Sequence, residues 1–367
     1  MKLRHIAAGA AASALAVTLS LAPAQAHQQD HHRPPTGISN VKTVATNLVG
    51  PLRIAFGDHG SILVAESMSG QLTSISAHGK KRTLVNAAGR EIAGVSYARH
   101  TAYYFDNPVG SDQAPPSPKD PALLKSIDHR GRVRTIADLA AFERKHDPDG
   151  KTVYGVRKVS KACLAQAPAL RSKGEVYSHP YSSVPVRSGV YVGDAGANAI
   201  LHVDRRGKTR LVKALPAEPV KITEAVRQLA SESGIQIPDC MLGLTYWAQP
   251  VPTDITVKGN WMYYTVLPGA PGESLATGKV YKMNLHTKKT YTVASGLNAP
   301  TGVAVDHRGG VYVSELFGGG VAKVVRGKAV TVLPAAMSAD VEVSGHQLIA
   351  STDALGTEGK VLRARVR

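Results

Sequence analysis

Apolar residues recur at alternate positions in six stretches of this chain, and a short polar turn breaks each stretch once. LRIAFGDHGSILVAE (52–66) and TGVAVDHRGGVYVSE (301–315) share their length and their apolar positions. AGVSYARHTAYYFD (93–106), PYSSVPVRSGVYVGD (180–194), TDITVKGNWMYYTV (253–266) and ADVEVSGHQLIASTD (339–353) repeat the plan. Alternation with period two predicts strands, and the central Gly, Asn or Asp predicts a hairpin turn. A third strand follows each pair, at 71–80, 123–132, 199–208, 279–288, 320–328 and 360–367. A fourth follows in five cases, at 82–87, 134–139, 209–215, 289–294 and 329–335. The sixth unit stops after its third strand. Its missing strand is found at residues 41–46, where Lys42-Thr43-Val44-Ala45-Thr46 resembles KTYTVA (289–294). A repeat closed by its own N-terminal strand makes a ring. The expected fold is therefore all-β: a six-bladed β-propeller of four-stranded antiparallel blades, forming a single domain over residues 41–367. A β-sandwich with accidental periodicity does not produce near-equal units with complementary ends.

Strand direction then places the irregular segments. Long insertions fall at 107–121, 140–179, 216–251 and 267–278. Each lies either at the link into an innermost strand or at the link between second and third strands. Both kinds of link open on one face of the ring, so that face is expected to be decorated and to carry function. Two insertions hold short helical patterns. Ala137 to His146 ends at the turn Asp147-Pro148-Asp149-Gly150, and Ile222, Val226 and Leu229 are spaced as one helix face. That stripe is expected to pack on the ring rather than bind a partner. Cys163 and Cys240 lie in the two insertions flanking the third unit, which permits a bridge between them. Loop closure over that separation contributes roughly 4 kcal/mol in the chain-entropy model.

Composition adds a compartment. Lys2 and Arg4, the apolar run from Ile6 to Leu21, and Ala24-Gln25-Ala26 form a secretory leader over residues 1–26. Cleavage is expected after Ala26, giving a secreted, extracellular chain in which a disulfide persists. No second apolar run of ~20 residues follows, so no transmembrane segment is expected after cleavage. Residues 27–40 read as a disordered lead-in. With 367 residues, 43% of them apolar, the chain is long enough for one large core.

The formal charge is +17. An exported basic protein suits an anionic cell-surface polymer, with a small molecule as the other candidate ligand. The basic residues are scattered through turns such as Arg205-Arg206-Gly207-Lys208 and Lys288-Lys289, with no basic helix and no stacking-aromatic motif. Dedicated nucleic-acid binding is not expected. A monomer is expected. There is no phosphate loop, zinc-ligand spacing or nucleophile elbow.

Candidate chemistry gathers at the decorated face. The second strands end there in Glu66, Asp106, Asp194, Val266, Glu315 and Asp353. The innermost strands begin there with Arg53, Gly94, Tyr181, Asp254, Gly302 and Asp340. Carboxylates converging on a channel suit a hard cation such as Ca2+. The candidate ligands are Glu66, Asp106, Asp194, Asp254, Glu315, Asp340 and Asp353. The candidate catalytic residues are His179 as base, with Tyr181, Asp254, Asp340 and Arg53. Each has a structural alternative. An acid that recurs in nearly every unit suits turn capping, Arg53 and Asp340 suit an ion pair between neighbouring blades, and His179 suits a loop anchor.

HPYSSVPVRSGVYVGDAGANAILHVDRRGK (179–208) and PVPTDITVKGNWMYYTVLPGAPG (250–272) resemble the ScyD/ScyE family of exported six-bladed propeller proteins. The resemblance takes in the DPDG turn and both cysteine insertions, and GVYVSE also resembles NHL-type and TolB-like repeats. It implies fold and export and supplies no catalytic residues. The function expected is a non-catalytic binding or scaffold role through the decorated face. The alternative is a metal-dependent lactonase-like or other hydrolytic enzyme at the channel mouth. Val266 interrupts a complete ring of carboxylates.

Overall fold

Each alternating stretch folds as a hairpin, and each hairpin grows into a sheet of four antiparallel strands. The computed structural model describes residues 37–110, 116–232, 234–270, 272 and 275–366. The expected leader and the segment 27–36 lie outside the described residues. Sheet I runs Pro51–Phe56, Ile62–Glu66, Gln71–Ile75 and Lys81–Asn86 from its inner to its outer strand. Sheets II to V repeat this order, starting from Arg90–Ala98, Pro180–Val186, Pro250–Lys258 and Pro300–Val305. Sheet VI starts from Asp340–Ser344 and ends on Ile38–Leu48, which pairs antiparallel with Gly359–Val366. That closing strand is longer than the 41–46 expected and begins inside the expected lead-in. A left-handed Asn40, φ 52°, absorbs a register shift between Ser39 and Lys42, and pairing continues out to Ile38↔Val366.

The period of two explains how the sheets stack. Successive side chains on a strand face opposite sides, so each sheet offers one apolar face to the sheet before it and another to the sheet after. Ile54, Val64 and Ile75 of sheet I pack on Ile349 and Val361 of sheet VI. Their neighbours Ala55, Leu63, Ala65 and Leu72 pack on Ile92, Val95 and Tyr104 of sheet II. Four further clusters join sheets II to III, III to IV, IV to V and V to VI. The innermost strands touch in chain order, and the last touches the first.

A seventh sheet stands apart from this succession and was not foreseen. Insertions 140–179 and 216–251 pair with each other in the order Arg171–Lys173, Val153–Val156, Thr245–Ala248, Glu218–Lys221. It has its own core of Val156, Leu170, Val220, Ile222, Val226, Ala230 and Met241. Glu218, 4% exposed, takes the Lys279 ammonium and, at 2.6 Å, the Tyr281 hydroxyl, which ties this insert lobe to sheet IV.

Helix α1 (Leu139–His146) starts two residues later than expected because Ala137 and Asp138 finish a strand. Asp138 then caps the helix by accepting from the Ala141 N–H. Helix α2 (Lys161–Leu164) carries Cys163, and α3 (Glu224–Glu232) lays Val226 and Ala230 into the core of the insert lobe rather than onto the ring as expected, with Ile222 buried there just ahead of the helix and Ala230 in the place expected for Leu229. Cys163 and Cys240 are bridged, with Cα atoms 6.0 Å apart. No helix among the described residues is long and apolar enough to cross a membrane.

Candidate functional site

The innermost strand of every ring sheet is an edge, and edge N–H groups need partners from elsewhere. Five of the six inner strands carry a register shift near their start: between Pro51 and Arg53, Ala93 and Val95, Pro180 and Ser182, Pro252 and Asp254, and Pro300 and Gly302. Such a bulge re-aims the side chains around it. It also corrects the expected alignment. Tyr181 is the bulged residue, equivalent to Leu52, Thr253 and Thr301, and Ser182 occupies the place of Arg53. Gly302 is required by close approach. A Cβ there would lie 2.4 Å from Ser314 Oγ and 2.9 Å from Asp340 Cα.

Arg53 ties the inner strand of sheet I to those of sheets IV, V and VI. It is 3% exposed, and its guanidinium bonds Asp254, lies 3.0 Å from Asp340 Oδ1 and donates to the Thr301 carbonyl at 2.9 Å. Its charge centre is 6.0 Å from the Tyr181 ring. Both carboxylates also hold edge N–H groups of neighbouring strands. Asp340 Oδ2 accepts from Ile54 at 2.8 Å, and Asp254 Oδ2 accepts from Val303 at 2.7 Å. Each accepts in addition from the residue following it, Val341 and Ile255.

Glu342, two residues beyond Asp340 and on the same face of its strand, is half-buried, and its charge acts on Arg53 and is acted on by Arg53, Asp254 and Asp340. Burial, and for Asp340 and Glu342 also repulsion from the neighbouring carboxylates, outweighs Arg53 and raises all three acids. Asp340 is pushed up to about 8 and Glu342 well above the carboxylate range. Glu342 alone of the three has no N–H donor among the described residues.

His179 lies beside this cluster, 5% exposed, its ring 6.0 Å from that of Tyr181. Its Nε2 is 2.6 Å from Glu91 Oε2. Burial opposes the charged imidazole, but the Glu91 carboxylate prevails and the pKa is raised. For Glu91, burial is likewise outweighed by His179 and the Asn107 amide, and the pKa is lowered. The ring nitrogen that would act as a base is thus engaged in an ion pair.

The recurring acids do different things. Glu66 accepts from the Val49 N–H at 2.7 Å, Glu315 from Asn298 at 2.7 Å and Asp194 from His179 at 2.8 Å, each holding the link into its own inner strand. Asp106 instead pairs with Arg90 and Lys125, and Asp353 with Lys360.

Arg53, Tyr181, Asp254 and Asp340 therefore come together, with His179 adjacent, while Glu66, Asp106, Asp194, Glu315 and Asp353 stay with their own turns. Sequence reasoning missed Glu342, although period two places it on Asp340's face. It missed Glu91 because that residue precedes the recognisable repeat. Among the described residues, one trio of His, Cys, Asp or Glu brings its ligand atoms within 4.8 Å of one another, and it lies elsewhere, at Glu143, Asp147 and Asp149.

No protein-family model matches the chain, and no curated protein matches it in sequence. Solved structures do. A gluconolactonase from Xanthomonas campestris superposes with a TM-score of 0.55 at 10% identity, over 90% of each chain. A protein of unknown function from Bacteroides thetaiotaomicron gives 0.54 at 12% identity, over 90% of this chain and 76% of its own. A PQQ-bound aldose sugar dehydrogenase from Streptomyces coelicolor gives 0.50 at 13% identity, over 91% and 100%. At such identities the likeness is one of fold, and the fold is a β-propeller.

Proposed function

We propose that this chain is an exported, non-catalytic binding protein of the ScyD/ScyE type. Its six ring sheets are the blades of a six-bladed propeller, and the seventh sheet is an inserted lobe on the ligand-binding face. The observation that carries the non-catalytic reading is the Arg53 guanidinium, which already supplies the positive charge between Asp254 and Asp340. Those carboxylates are further engaged by four backbone N–H groups. The competing reading, metal-dependent lactone hydrolysis, is favoured by fold likeness to a gluconolactonase, and it needs mouth carboxylates free to hold a cation or a water. A bridged cysteine pair supports an oxidising compartment and hence export.

The lobe also supports the ligand class. Arg171 and Lys173 are exposed on its edge strand, Lys151 and Lys158 on the adjoining loops and Lys161 at the start of α2. A basic edge of this kind fits an anionic polymer at the cell surface.

The test has two arms. Purified protein is given gluconolactone and other lactones with and without Ca2+, Mn2+ or Zn2+, and no turnover above buffer is expected. Metal-dependent turnover abolished by Asp254→Asn would overturn the proposal. Retention on a dextran sulfate matrix is expected to fall with salt and to fall severalfold in the Arg171→Glu, Lys173→Glu double variant. Unchanged retention of that variant removes the lobe from the proposed role.

A further inference from the structure

Glu143 leaves the last turn of α1 with its carboxylate buried, 1% exposed, and neither of its oxygens has a hydrogen-bond partner. The chain then turns through Asp147, whose φ of 39° ends the helix and brings Asp149 round to face Glu143. One ligand oxygen from each of Glu143, Asp147 and Asp149 lies within 4.8 Å of the other two. Asp149, also 1% exposed, is held by the Tyr154 hydroxyl and the Asn198 amide, each 2.8 Å from Oδ2, while its Oδ1 has no partner. Asn198 is 1% exposed and belongs to sheet III, and its own Oδ1 is unpartnered as well, as is Oδ1 of Asp147.

Four oxygens here, both of Glu143 and the Oδ1 atoms of Asp147 and Asp149, have no partner, although the Tyr154 hydroxyl and the Asn198 amide donate to Asp149 Oδ2. Buried acceptors in a native protein are satisfied in the great majority of cases, and here what is missing is positive. The charged groups that act on Glu143 are all carboxylates, Asp194, Asp149 and Asp147. Burial and these neighbours both disfavour its charged form. The carbonyl end of α1 adds negative potential. Arg144, next in sequence, turns away to Asp138 and the Pro118 carbonyl.

We propose that Glu143, Asp147 and Asp149 bind a calcium ion, with the Asn198 amide holding Asp149 in place. All the candidate ligand atoms are oxygens, which argues against zinc and other metals that prefer nitrogen or sulfur. Several protein oxygens around one point suit the larger, flexible shell of Ca2+ better than Mg2+, which keeps most of its water. The site joins three bodies: α1 after sheet II, the insert lobe through Tyr154, and sheet III through Asn198. It is separate from the mouth cluster and independent of the proposed function.

Terbium is the probe, because the Tyr154 ring beside Asp149 can sensitise its luminescence. Chelator-treated full-length protein is expected to give saturable Tb3+ luminescence, displaced by Ca2+ at far lower concentration than by Mg2+. Glu143→Gln is expected to weaken binding at least tenfold and Asp149→Asn about a hundredfold. Ca2+ is expected to raise the melting temperature of the wild type and not that of Glu143→Gln. Absence of saturable luminescence in the wild type overturns the proposal. So does luminescence that survives both carboxylate substitutions, or is lost in Asp254→Asn.

Discussion

Arg53 is one cation facing three acids, and the imbalance sets how the mouth responds to pH. Glu342 holds its proton in the folded protein far above the value near 4.5 that it has when unfolded. Below that unfolded value both states are protonated and folding is undisturbed. As pH rises, the unfolded chain releases the proton and the folded one does not, so stability falls until the folded carboxyl finally ionises. Glu342→Gln removes the part of the decline that Glu342 causes and leaves the part due to Asp340 and Asp254. The variant is expected to be more stable than the wild type near pH 8 and equal to it near pH 4, as read from urea denaturation at each pH. Legibility at this scale follows from departures from the repeat. Arg53, Asp254 and Asp340 stand out because no other unit carries them, and the Arg53–Asp340 pair was foreseen from neighbouring blades. Tyr181 was misaligned because a bulge shifts register without changing the length of the segment.

Whole elements were legible where alternation is long, and illegible where pairing joins short segments far apart. The ring strands announce themselves by period two. The lobe strands are three or four residues long, without alternation, and their two halves lie on either side of sheet III. The lobe buries its own core and is crossed by the Cys163–Cys240 bridge, so it is expected to open as a unit without the ring. Replacing both cysteines by serine is expected to cost about 4 kcal/mol in that unit, in the loop-closure model. Hydrogen exchange is expected to quicken at Val153–Val156 and Thr245–Ala248 and to stay unchanged at Ile62–Glu66. Equal loss of protection in both regions would mean that lobe and ring unfold together.

At the scale of the molecule, the ring was legible because closure is a matter of counting: five fourth strands among six units, and a spare strand at the other end. Its energetic content is the cluster of Leu48, Ile54, Ile349 and Val361, which exists only when the two ends meet. Deleting residues 1–48 strips Gly359–Val366 of its partner and uncovers an edge. The truncated chain is expected to self-associate in light scattering and to lose its cooperative urea transition, while a monomeric, cooperative product would show the closing strand to be dispensable. The bridge carries a different, mechanical meaning. It spans 77 residues of sequence and encloses all of sheet III, from Pro180 to Ala214. If the molecule is tethered and pulled from its two ends, tension passes through the sulfur atoms and bypasses everything between them. The oxidised chain can then extend by roughly 270 Å less than the reduced one, given 77 hidden residues at about 3.5 Å each. Once its contacts with sheets II and IV have parted, the backbone of sheet III therefore carries no tension, and reduction is what exposes it to strain.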